Sequence, residues 1–206
     1  MILLLGLTGS IGMGKSTTAR LFAEEGCPVW DADAAVHHLY ARGGAAVVPI
    51  GAAFPEAIED GAVSRTRLRT ILSRDPSALS RIEAIVHPLV ARDRADFVQD
   101  QRNNLTDLAA PALILVLDIP LLFETGADRG MDVTVVVSAP PQVQRARVMD
   151  RGTMTAEQFE NILKKQMPDA QKRLRADYVI ETDTLESARR QVQSVLKDIR
   201  QRTAHA

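Results

Sequence analysis

Cysteine is nearly missing from this chain of 206 residues: Cys27 stands alone, so no internal disulfide can form and no thiolate cluster can hold a metal. Such usage fits a reducing compartment, and the cytoplasm is the expected location. Charge of one sign is missing as well. With 25 basic against 26 acidic residues the net charge is -1, which lacks the basic footprint of a nucleic-acid binder. Any anionic ligand must therefore be met by a local site. Long hydrophobic runs are absent too. The opening MILLL has no basic leader and stops at Gly6, too short for a secretory signal. No later stretch approaches the roughly 20 apolar residues that span a bilayer. No internal repeat or low-complexity tract occurs. What remains is an ordinary soluble composition, 46% hydrophobic and 25% charged, with length for one core or one core carrying an inserted subdomain. A monomer or weak homo-oligomer without nucleic-acid or membrane partners is expected.

Against that background Gly6 to Leu21, GLTGSIGMGKSTTARL, stands out for packing four glycines, a lysine and five hydroxyl residues between an apolar run and a helical pattern. Glycine inside a regular element costs roughly 0.5 to 1 kcal/mol relative to alanine, so a cluster of them implies a ligand. Ile2 to Leu7 reads as a strand buried on both faces, and Ser16 to Glu25 as a helix stopped by Gly26. Gly9 to Ser16 satisfies GxxxxGK[ST] in the strand-loop-helix context that this motif requires. In such a loop consecutive backbone N–H groups form a nest for phosphate oxygens, and the helix start adds partial positive charge. Gly9, Gly12, Met13, Gly14, Lys15, Ser16 and Thr17 are thus candidate nucleotide contacts, with Lys15 reaching the β and γ phosphates and Ser16 ligating Mg²⁺. ATP and Mg²⁺ are the expected co-substrate and ion. A glycine turn that merely joins strand to helix is the plainer alternative.

Further strands are expected at Pro28 to Trp30, Ala112 to Leu117, Val133 to Val137 and Tyr178 to Ile180, several nearly pure aliphatic, as in a parallel sheet covered by helices. The fold class is α/β: a five-stranded parallel sheet of the P-loop type with a helical insertion and a helical lid. A single domain is expected over 1–206. Its core comprises 1–33, 111–140 and 176–206, the substrate-binding insertion 34–110 has no convincing strand, and the lid covers 141–175. Ser187 to Arg202 closes the chain as an amphipathic helix with Ala188, Val192, Val195, Leu196 and Ile199 on one stripe.

The remaining chemistry concerns the acceptor. No NKxD base-reading motif is present, which disfavours a guanine-nucleotide switch, and the small size favours transfer to a small molecule. Asp118 ends the aliphatic ALILVL run, where it either holds the metal through water or caps a loop. Trp30-Asp31-Ala32-Asp33 ends the second strand, and its edge is expected to face the phosphate loop from the neighbouring strand. Asp31 suits helix capping or orientation, whereas Asp33 suits both the helix dipole and proton abstraction. His37, at i+4 from Asp33, faces the same ligand or solvent.

Taken in series, GSIGMGKST, DADAAVH, His87-Pro88-Leu89-Val90, IPLLFE and ADYVI resemble the dephospho-CoA kinase family in order and spacing across nearly the whole chain. The resemblance implies transfer of the γ-phosphate of ATP to the 3′-hydroxyl of dephospho-CoA, the last step of coenzyme A synthesis. It makes Asp33 the general base and places His37, His87, Leu121 and Glu124 on the acceptor side. His87 otherwise marks a helix break before Pro88, and Glu124 otherwise is a turn residue facing water. Arg145 and Arg151 match basic positions of the family's lid, suited to phosphate oxygens, although most arginines on charged helices face solvent. Lys172 is spaced from Gln166 and Ala176-Asp177 as the family pattern requires, consistent with holding the lid's return segment. The chain departs from the pattern at Glu181-Thr182-Asp183, where the family commonly has an acidic or amide residue and then asparagine. Two other readings compete: a different P-loop nucleotide or metabolite kinase, and a regulatory module that binds ATP without transfer.

Overall fold

The computed structural model describes residues 1–104 and 112–204. The end of the expected insertion at Ala110 and the resumption of the core at Pro111 lie outside them. Two compact units divide the chain, Met1–Trp30 with Thr106–Ala206, and Asp31–Leu105.

The first unit is built on a parallel sheet of five strands: β1 (Ile2–Thr8), β2 (Val29–Asp31), β5 (Leu113–Asp118), β6 (Val133–Ser138) and β7 (Tyr178–Glu181), in the order β2-β5-β1-β6-β7. Each expected strand is present, shifted or extended by a residue or so. Leu5 lies opposite Val116 on one side and Val133 on the other, so the aliphatic run of β1 is surrounded by aliphatic neighbours. That explains its continuous hydrophobicity, since a central parallel strand has no wet face. The chain leaves β1 toward the β2 edge and resumes on the other side at β6, so the carboxyl end of β1 sits where the winding reverses, the usual ligand position in such sheets. One expectation is corrected here: β2 is not the neighbour of β1, because β5 lies between them. The intervening strand is the most aliphatic of the later ones, and burial on both faces favours it beside the centre.

Helix α1 (Lys15–Glu24) and the C-terminal helix α9 (Leu185–Ala204) pack together over the sheet, burying Leu21 and Phe22 against Leu5, Leu7, Val116, Val135, Val192 and Leu196. Cys27 lies in the same core, where burial pushes its thiol up to about 11 and leaves it inert. After β6 come α6 (Pro141–Asp150), α7 (Ala156–Lys165) and α8 (Asp169–Arg175). Helix α7 starts at a capping box, in which Thr155 Oγ1 accepts the Gln158 N–H and Gln158 Oε1 accepts the Thr155 N–H.

The second unit contains α2 (Ala32–Tyr40), α3 (Val47–Ala53), the short strands β3 (Ile58–Glu59) and β4 (Ala62–Val63), α4 (Arg65–Arg74) and α5 (Ala78–Asn103). Its own core gathers Leu39, Ile50, Phe54, Val63, Leu68, Ile82 and Val86. The expectation of an insertion without strands is corrected by β3 and β4, an antiparallel pair joined by Asp60-Gly61. Both turn residues are left-handed, φ 51° and 77°, as a two-residue hairpin requires, and Asp-Gly is the usual signal for it. The two-residue strands are too short to show alternation. Helix α5 runs through Pro88 without ending there, so His87-Pro88 does not break the helix.

Candidate active site

In the first unit the loop from Gly9 to Gly14 links β1 to α1. Gly12 and Gly14 have φ of 79° and 93°, a region that side chains rarely enter. Space forbids a side chain at Gly12 too, since a Cβ would come within 2.6 Å of Val148 Cγ2 and 3.0 Å of the Gln144 carbonyl. Gly14 occupies the N-cap position of α1 with no side-chain cap. The first N–H groups of α1 are thus left without the side-chain acceptor that most helix starts provide, which is the condition for an anion to take that place.

The loop is gripped from several sides. Met13 is 3% exposed, its N–H donates to the Ser10 carbonyl at 3.1 Å, and its sulfur accepts the Ala139 N–H at 3.1 Å. The Met13 carbonyl accepts the Thr182 hydroxyl at 2.8 Å, and Arg147 in turn donates to Thr182 Oγ1 at 2.8 Å and to its carbonyl. Met13 therefore acts as an anchor of the loop. Ser16 lies exposed at the opening of α1, and Thr17 is half-buried beside it.

Lys15 Nζ forms an ion pair with Asp118 Oδ1 at the end of β5, where Asp118 is 1% exposed. The register that sets Leu7 opposite Asp118 brings the two loops to one level. A buried carboxylate beside the phosphate-loop lysine is a donor for a hydrated cation as well as a tether for the ammonium. Asp118 therefore holds Lys15, a contact beyond the two roles weighed for it in the sequence.

Beyond β5, Leu121 is 40% exposed while Leu122 and Phe123 are buried. Glu124 turns toward the segment from the end of α7 into α8, where Oε1 accepts the Met167 N–H at 2.8 Å and lies 2.9 Å from Lys172 Nζ. Lys172 is fully buried. Burial alone would raise the Glu124 carboxyl, but Lys172 and the Met167 N–H outweigh it and hold the group below its ordinary value. The Glu124 carboxylate is therefore engaged within the fold.

On α6, Gln144, Arg147, Val148 and Arg151 fall along one stripe at helical spacing, whereas Arg145 lies roughly 100° round the helix. Arg145 pairs with Glu160 of α7 at 2.7 Å, both half-exposed. Arg151 follows α6 and is exposed, with no side-chain partner among the described residues. Arg147 and Gln144 carry the stronger structural case for contact with the loop, yet sequence reasoning singled out neither. The available signal was the stripe itself, in which polar residues alternate with the buried Val148.

The second unit carries Asp33, His37 and His87. Asp31 caps α2, its Oδ1 accepting the Asp33 N–H at 2.7 Å and the Ala34 N–H at 3.1 Å. That occupies Asp31 and leaves the Asp33 carboxylate exposed in the first turn without a side-chain partner among the described residues. His37 is exposed one turn on, and His87 is exposed on α5.

A parallel sheet wound in this order, a glycine cradle at the end of its central strand and a lysine inside the cradle define a P-loop phosphotransferase. The family model for dephospho-CoA kinase matches residues 3–187. A dephospho-CoA kinase of Ruegeria pomeroyi is 61% identical over 98% of this chain and 98% of its own length, and one of Cereibacter sphaeroides is 57% identical over 96% and 95%. A solved dephospho-CoA kinase from Campylobacter jejuni, 22% identical, superposes with a TM-score of 0.71 over 98% of this chain and 100% of the other, a likeness of fold. The chain belongs to the dephospho-CoA kinase family, whose members carry out the final step of coenzyme A biosynthesis with ATP as co-substrate. The alternative kinase and regulatory-module readings are not favoured. No helix among the described residues is long and apolar enough to cross a membrane.

Proposed function

We propose that this chain moves the γ-phosphate of ATP onto the 3′-hydroxyl of dephospho-CoA. The single observation that carries the nucleotide half is the uncapped start of α1 with Lys15 at its first position. The backbone N–H groups from Gly12 to Thr17 and the Lys15 ammonium hold the phosphate oxygens. Lys15 shares itself between Asp118 and the γ-phosphate, so charge that develops during transfer meets a cation already in place.

Mg²⁺ fits the residues present. An exposed Ser16 hydroxyl and the buried Asp118 carboxylate are the one or two protein oxygens that a hydrated magnesium takes alongside phosphates. Among the described residues there is no group of three or more His, Cys, Asp or Glu that would form a dedicated cage for another metal. When bound, the ion neutralises phosphate charge.

For the acceptor, Asp33 orients the ribose hydroxyl and takes its proton as the oxygen bonds to the γ-phosphorus, the bond from that phosphorus to the β–γ bridging oxygen breaks, and ADP leaves. The exposed, unpartnered state of its carboxylate supports this role, since Asp31 already caps the helix. His37 and His87 supply polar contacts and Leu121 an apolar one. Glu124 serves the acceptor side by fixing the return segment through Met167 and Lys172. Arg151 and Arg145 supply lid contacts to phosphate, and lid closure excludes water and limits hydrolysis.

The test is an acceptor panel with Mg-ATP. Coenzyme A and ADP should form with dephospho-CoA, and neither shikimate, gluconate nor nucleosides should substitute. ADP release driven equally by another alcohol overturns the acceptor assignment, and ATP binding without acceptor-dependent turnover overturns the kinase reading.

A further inference from the structure

We infer that Gln166 and Gln144 are positioning residues that tie the shape of the phosphate loop to the lid. Gln166 Oε1 accepts the Ile11 N–H at 3.2 Å, and Gln144 Nε2 donates to the Ile11 carbonyl at 2.7 Å. The two glutamines therefore hold the two peptide groups on either side of one residue at the crest of the loop. Both contacts also fix their amide orientations, because only an oxygen accepts from N–H and only a nitrogen donates to a carbonyl.

The consequence follows from peptide planarity. In a trans peptide the carbonyl and the next N–H point in opposite directions. Holding the Ile11 carbonyl on Gln144 turns the Gly12 N–H away from α6 and toward the interior of the nest. Holding the Ile11 N–H on Gln166 aims the Ser10 carbonyl the other way, and that carbonyl accepts the Met13 N–H at 3.1 Å to close the turn. Gly12, at φ 79° and free of a Cβ, is the residue most able to swing if either grip is lost.

The grips come from opposite ends of the lid. Gln144 is 5% exposed on α6, packed over Gly12 together with Val148. Gln166 follows α7, and its neighbour Met167 is fastened to Glu124, which holds the buried Lys172. Movement of the return segment that carries Gln166 off Ile11 loosens the cradle, and its return restores the Gly12 N–H to phosphate. The lid thus acts on nucleotide affinity from outside the phosphates, in addition to any arginine it brings to them.

This inference rests on the proposed kinase reading, and its test separates the two. Gln166→Met keeps roughly the length and packing of the side chain and removes the amide that supplies the acceptor. It should raise the KM for ATP and weaken ADP binding by calorimetry about three- to tenfold, the loss of one hydrogen bond. The KM for dephospho-CoA and the melting temperature should stay close to the parent's. Gln144→Met should act in the same direction, and the double variant should lose less than the product of the single losses because both act on one turn. An unchanged KM for ATP and unchanged ADP affinity in Gln166→Met overturns the inference, as does an equal rise in both KM values. A parent enzyme that binds ATP without acceptor-dependent turnover sinks the kinase reading instead.

Discussion

The two units keep their chemistry in opposite states. In the sheet unit the groups around the phosphate loop are largely engaged: Lys15 by Asp118, Glu124 by Lys172 and Met167, Ile11 by two glutamines, Met13 by Thr182. In the helical unit Asp33, His37 and His87 stand exposed on helix surfaces. A phosphate cradle must be preorganised, because its donors serve the transition state only if they need no rearrangement at that moment. A base and its neighbours must first meet a large flexible acceptor, so they are left open.

That contrast is tested most severely by Asp33→Asn. The carboxylate makes no side-chain contact within its unit, so stability should hardly change, whereas kcat should fall roughly 10²- to 10⁴-fold, the usual contribution of a positioned base. The KM for ATP should stay near the parent value. Near-normal turnover removes Asp33 from the base role. Lys15→Ala is the counterpart in the engaged unit. It should lower kcat by roughly 10²- to 10³-fold, as for loss of one preorganised electrostatic contact worth about 2.7 to 4 kcal/mol.

Next in size is the buried pair behind the return segment. Lys172→Met leaves the Glu124 carboxylate buried without its cation and should cost about 3 to 5 kcal/mol in chemical denaturation. Its dependence on pH carries a sign. In the parent the folded Glu124 lies below its ordinary value of 4.5, so its stabilisation is present above that value and fades as pH falls through the lower folded value. In Lys172→Met the cation that lowers the folded value is gone while burial and the Met167 N–H remain, so the gain of stability with rising pH should shrink relative to the parent. Matching pH slopes for parent and variant rule out the pair as a buried, coupled unit. Glu124→Gln combined with Lys172→Met should recover part of the loss.

How much of this could be read from the letters follows from range. The five strands and the phosphate loop were legible because an aliphatic run and a glycine cluster dictate structure over a handful of residues. Asp-Gly between Glu59 and Ala62 was as plain a signal for the hairpin, but its flanking strands are too short to register. The grip on Ile11 was not legible: Gln144 and Gln166 lie 133 and 155 residues away in sequence, and a glutamine on a charged helix has no local mark of such a task. The order of β2 and β5 likewise depends on packing across the whole sheet. The roles of His87 and Leu121 rest on the family pattern, since exposure alone does not distinguish a ligand contact from a wet surface.

The smallest expected effects sharpen the same contrast inside the lid. Arg151 resembles the helical unit in being exposed and unpartnered, and it shares a stripe with Gln144 and Arg147, which reach the phosphate loop directly or through Thr182. Arg145 resembles the sheet unit in being committed, here to Glu160 at 2.7 Å. A hydrogen bond to a charged group contributes roughly 1.5 to 3 kcal/mol, so Arg151→Ala should lower kcat about tenfold or more. Arg145→Ala breaks an exposed ion pair worth at most about 1 kcal/mol, and contact with phosphate must first give up that pair. Its effect on kcat should stay within about fivefold, and Glu160→Gln, which frees Arg145, should leave turnover equal or slightly higher. If Arg145→Ala is the more damaging of the two arginine variants in steady-state assays, engagement in the resting fold does not predict a lesser role in transfer, and the contrast fails within the lid.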